Sequence, residues 1–167
     1  MTEVLIESYR RWVDLETRGE ASCRMHARCT DDAEQRSKWL LLAELESITK
    51  EALVHDLRAN GIVIEENLEK RREGELRAEQ SAGLAWLDLM AQLRPHILFY
   101  VDEVRAIAAT ALAEERLLAL RLCEHEEVWL TFIDRELAGD SKSSMEPILG
   151  HLRKWRGRDG EQVGDRR

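Results

Sequence analysis

The chain has 167 residues, 44% hydrophobic and 35% charged, with a net charge of −8 at neutral pH. That mixture is too apolar for a disordered chain and too charged for a membrane protein. The acidic balance repels phosphate backbones and argues against nucleic acid as the main partner unless charge is strongly segregated. No apolar run approaches the roughly 20 residues of a bilayer span.

The opening segment, MTEVLIESYRRW, lacks the apolar block of a secretory leader, which leaves the cytoplasm as the expected location. Cys23, Cys29 and Cys123 have neither metal-ligand nor disulfide-framework spacing and read as reduced thiols.

Only two prolines occur, and four of the nine glycines fall in the last eighteen residues, so the first 149 residues are poor in helix breakers. Leu, Ala, Glu and Arg dominate without strict apolar alternation, which predicts an all-helical chain. The first helix is expected over Glu3 to Cys29, with Leu5, Tyr9, Trp12 and Cys23 on one face. Thr30 or Asp31 is the expected N-cap of a second helix, with Glu34 following and Asn60-Gly61 as its stop. Gly61 to about Gln80 is mostly charged and reads as a surface crossover or exposed helix. A third long helix is expected from near Ser81, kinked but unbroken at Pro95, because Trp86, Met90, Leu93, Ile97, Val101 and Val104 continue one stripe. The fourth covers about Leu112 to Leu137 and stops at Ala138-Gly139; Ser144 to Trp155 forms a short C-terminal helix. Residues 1–155 are thus expected as one helical domain, with a disordered tail over 156–167.

Ionisable residues on apolar stripes are the informative anomalies. Steps of three and four along the first helix put Glu16, Glu20 and His26 in line with Leu5, Tyr9, Trp12 and Cys23. Glu46 falls among Trp39, Leu42, Ala43, Thr49 and Leu53, and His125 among Leu118, Leu122, Trp129 and Phe132, with Glu124 and Glu126 beside it. A buried carboxylate survives by pairing, by hydrogen bonding or by holding a metal. Glu51 and His55, one turn apart, read as an exposed ion pair.

The stretch Trp39-Leu-Leu-Leu-Ala43-Glu44-Leu-Glu46-Ser-Ile-Thr49 resembles the second helix of rubrerythrin-type ferritin-like proteins. There an aromatic residue, an Ala and a ligand Glu precede a ligand His. Gly19-Glu20 with Arg24-Met25 is similar to the start of that family's first helix, and His125-Glu126 with Trp129, Phe132 and Glu136-Leu-Ala-Gly139 to a pattern in other ferritin-like helices. The resemblance implies a four-helix bundle with a long crossover between helices two and three, and gives Glu20 and Glu46 metal-ligand roles.

The chain departs from that pattern where a di-iron site needs two Glu-x-x-His pairs. The residues three places before its five histidines are Cys23, Ala52, Leu93, Leu122 and Ile148, and Thr49 stands where the family histidine would follow Glu46. The leading expectation is therefore a ferritin-like homodimer without an ordinary di-iron site and without a cofactor, acting through an interhelical pocket on a small-molecule or protein partner. The alternative is an iron- or manganese-dependent oxidase or oxygenase, with Glu20, Glu46, Glu124 and His125 as ligands and Glu16 as second choice.

Overall fold

The computed structural model describes residues 1–162 and contains six helices and no strand among them. They fall into two compact units that meet in sequence after Gly83.

In the first unit, α1 (Glu3–Cys29) and α2 (Ala33–Ala59) are long helices joined by three residues. Thr2 caps α1 by accepting from the Leu5 N–H. The cap of α2 is Asp32, two residues after Thr30 and one after Asp31: the Thr30 hydroxyl accepts the Asp32 N–H inside the turn, and the Asp32 carboxylate receives the Gln35 N–H at 2.9 Å. The α2 stop lies where Asn60-Gly61 puts it. Gly61 takes φ +75°, and the Ile62 N–H returns to the Leu57 carbonyl at 3.0 Å, closing the turn as only a residue tolerant of the left-handed region allows. Trp12, Leu42, Leu45, Leu53 and Leu57 are the unit's large buried residues.

The charged stretch after Gly61 yields α3 (Leu68–Ser81), capped by Asn67 through the Lys70 N–H. Its buried residues are Gly74 and Ala78. A Cβ at Gly74 would collide with the Arg18 carbonyl oxygen and stand 3.1 Å from the Ser22 nitrogen, so α3 lies backbone-close on α1. A polar helix joins the unit through small residues rather than through an apolar stripe.

In the second unit, α4 (Trp86–Thr110) begins five residues after Ser81, because Ser81 completes α3 and residues 82–85 turn the chain. It runs unbroken through Pro95, whose missing N–H falls on an exposed face. Its buried residues are Leu89, Met90, Val101, Val104 and Ala108, and Trp86, Leu93 and Ile97 of the same stripe are half-buried. The two-residue connection at 111–112 leads into α5 (Ala113–Leu137), which packs on α4 and ends at Gly139 with φ +79° and an Asp140 N–H returned to Arg135. α6 (Glu146–Gln162) packs on α5 through a helix that buries Ile148, Leu152 and Trp155. Its backbone stays helical seven residues beyond Trp155, so the expected disorder does not begin at Arg156; the helix tolerates Gly157 and Gly160 at about 1 kcal/mol each. Residues 163–167 of that expectation lie outside the described residues.

Candidate metal centre

Every position of the stepped face of α1 is buried: Leu5, Tyr9, Trp12, Glu16, Glu20, Cys23 and His26. So is the α2 face made by Trp39, Leu42, Ala43, Glu46, Thr49 and Leu53. Packing α1 on α2 therefore brings carboxylates of different helices into one interior. An oxygen of Glu16 and an oxygen of Glu46 lie within 4.8 Å of each other. The Glu46 carboxylate rests against α1 at Gly19, where a Cβ would stand 2.7 Å from its carboxyl carbon.

Glu20, which the resemblance made a ligand, is committed elsewhere. Lys50 Nζ donates to one of its oxygens at 2.5 Å and Arg24 Nε to the other at 2.7 Å. Burial alone would raise its pKa, but those two charged hydrogen bonds and their Coulombic attraction outweigh burial and hold it below the usual carboxylate value. Glu16, the second choice of the sequence reading, is thus the residue that accompanies Glu46.

Cys23 and Thr49 of the same unit are poor metal donors. Burial, followed by the charges of Glu46 and Glu20, pushes the Cys23 thiol well above its ordinary pKa, so the sulfur stays protonated and neither ligates nor attacks. The Thr49 hydroxyl, where the family pattern has histidine, donates to the Leu45 carbonyl of its own helix at 3.1 Å. The cysteines are free thiols, Cys29 exposed and the other two buried.

The second unit holds its own buried polar groups. His125 is buried among Leu118, Leu122, Trp129 and Phe132, as their spacing predicts. Glu124 is exposed, and Lys154 Nζ donates to both its oxygens at 2.8 and 2.6 Å. The inward neighbour is Glu126, at 5% exposure. Steps through Leu122, Glu126, Trp129, Ile133 and Glu136 give the signal that finds it, since Glu124 lies about 160° around the helix from Glu126 at 100° per residue. Glu136 accepts from Trp86 Nε1 at 2.7 Å and from the buried Ser144 hydroxyl at 2.5 Å, which ties the start of α4 to the turn before α6.

The expected Glu51–His55 pair is replaced by exposed contacts of each residue with another: His55 Nδ1 lies 3.7 Å from Asp56, and Glu51 accepts from Ser47 at 3.2 Å. Trp39 and Trp155 are buried, and half-buried Trp86 donates to Glu136.

Comparison of the chain with protein-family models, with curated proteins and with solved structures found no match.

Proposed function

We propose that the chain is a divergent ferritin-like protein whose first unit holds one hard divalent cation, manganese(II) or iron(II), between the carboxylates of Glu16 and Glu46. The observation that carries this reading is the approach of two buried carboxylates from separate helices, with glycine at an α1 position where a Cβ would collide with Glu46. Two ionised carboxylates at that separation repel by about 3 kcal/mol at an effective dielectric constant of 20. A shared proton or a bound cation relieves that repulsion.

Lys50 and Arg24 are both bound to Glu20. Two carboxylate oxygens suit a hard divalent cation, and water completes the shell. When bound, such an ion would supply Lewis acidity or redox chemistry; Glu16 and Glu46 would hold it, and Gly19 would keep the space in which Glu46 turns toward it.

Thermal unfolding of chelator-stripped protein with and without manganese(II) tests the reading. A manganese-dependent rise in the unfolding temperature, absent in Glu46→Gln, supports it, because a ligand that binds only the folded state stabilises by mass action. Identical melting with and without metal removes it and favours a cofactor-free protein in which the two acids share a proton.

A homodimer belongs to the same proposal. Its support is the exposure of Leu112, Leu117 and Leu120, at 84, 69 and 47%, around the start of α5.

A further inference from the structure

At the far end of α1 from its cap, three helix ends of the first unit converge on one imidazole. His26 sits in the last turn of α1 and is 5% exposed. Its ring stacks on Trp39 in the second turn of α2, with centroids 4.4 Å apart and planes 13° from parallel. The hydroxyl of Ser81, the last residue of α3, lies 3.5 Å from His26 Nε2. That hydroxyl donates to the Arg77 carbonyl at 2.9 Å, so toward His26 it presents a lone pair and favours the neutral tautomer with its proton on Nε2.

We propose that the His26–Trp39 stack, with Ser81 at its edge, is an acid-operated latch that holds the end of α1 against the start of α2 and the end of α3 while the ring is neutral, and loosens them when it is protonated. The latch is independent of the cation reading, since it uses none of the residues assigned there.

The charged groups around the latch do not rescue a protonated ring. On α1, Arg24 is bound to Glu20, and Arg28 adds a like charge in the last turn. On α2, Glu34 pairs with Lys38 at 2.8 Å, and Arg36 donates to the Thr30 carbonyl. On α3, Arg77 is cationic and Glu79 lies 3.7 Å from Arg72. The carbonyls at the end of α1 and the face of the indole both favour a cation. Burial nevertheless dominates and lowers the His26 pKa to about 4.

The sign follows from linkage. An unfolded chain binds the proton near pH 6.5 and the folded one near 4, so the latch's contribution is fully present above pH 6.5 and is lost as pH falls from 6.5 to 4.

The test compares wild type with His26→Gln and His26→Phe as full-length chains. From pH 7 to pH 4.5 the folding equilibrium constant of wild type should fall roughly 60-fold more than that of either variant. At pH 4.5, native-state hydrogen exchange should accelerate in wild type at the end of α1, the start of α2 and the end of α3 before the rest of the unit. Equal pH-dependent losses in wild type and variants overturn the proposal, as does exchange that accelerates uniformly. If neither variant folds, the His26 ring titration followed by NMR in wild type decides: a midpoint near 4 supports the latch, and one at or above 6.5 overturns it.

Discussion

A single missing methyl group at Gly19 lets the Glu46 carboxylate lie against α1, within reach of Glu16. Because the colliding atoms belong to the far end of a flexible side chain, Gly19→Ala should leave helix content and stability nearly unchanged while turning Glu46 aside. Manganese affinity by calorimetry is expected to drop at least tenfold, and an unchanged affinity would contradict the role given to Gly19. Glu20 makes a contrasting prediction. Its depressed pKa means that its ion pairs contribute stability above the ordinary carboxylate range and lose it as pH falls through the folded value. Glu20→Gln should therefore flatten the acid limb of the denaturation profile. That Glu16, Glu20, Glu46, His26 and His125 are buried was legible, because helical steps of three and four leave little freedom about which face a residue joins. Which acid finds a base was not: Lys50 and Glu20 are thirty residues apart, and only the packing of α2 on α1 brings them together. Glu124 and Glu126 show the cost of choosing by adjacency to His125 rather than by phase, since the helix turns one inward and the other out to Lys154.

Helix ends were readable where a residue has one dominant use. Asn60-Gly61 and Ala138-Gly139 stop their helices because glycine accepts the positive φ that closes them. α3 was harder, since a helix that packs through Gly74 and Ala78 carries no apolar stripe, and its charges read as solvent-facing. That close approach makes Gly74→Ala the opposite of Gly19→Ala. The new methyl meets the α1 backbone at Arg18, which cannot swing away. Urea denaturation should show a loss of roughly 2–4 kcal/mol, in the range of overpacked cores; a loss below about 0.5 kcal/mol, as at ordinary surface sites, would show that α3 does not lie so close. In the second unit, Glu136→Ala would remove the carboxylate that accepts from Trp86 Nε1 and leave the Ser144 hydroxyl with the Ser141 carbonyl. About 2–3 kcal/mol of destabilisation is expected from losing hydrogen bonds to a charged acceptor, and Glu136→Gln, which keeps one acceptor oxygen, should recover part of it.

Across the whole chain, composition and periodicity are enough for the all-helical class, and no helix among the described residues is long and apolar enough to cross a membrane. The four long helices sit within a few residues of their expected spans, because breakers are scarce and caps are specific. The division after Gly83 into two compact units was not legible, since contact density depends on tertiary packing that no local pattern encodes. If the exposed leucines at the start of α5 bury a second copy, Leu117→Glu should convert a dimer to a monomer in light scattering, and a wild-type monomer would contradict that assembly. The cation reading is tested most directly by electron paramagnetic resonance of manganese(II) titrated into chelator-stripped protein. The account predicts that wild type quenches the free-ion signal to one equivalent and that Glu16→Gln and Glu46→Gln each lose that saturation while Glu124→Gln keeps it. A free-ion signal that rises from the first addition of manganese in wild type, or saturation undiminished in both variants, would contradict it.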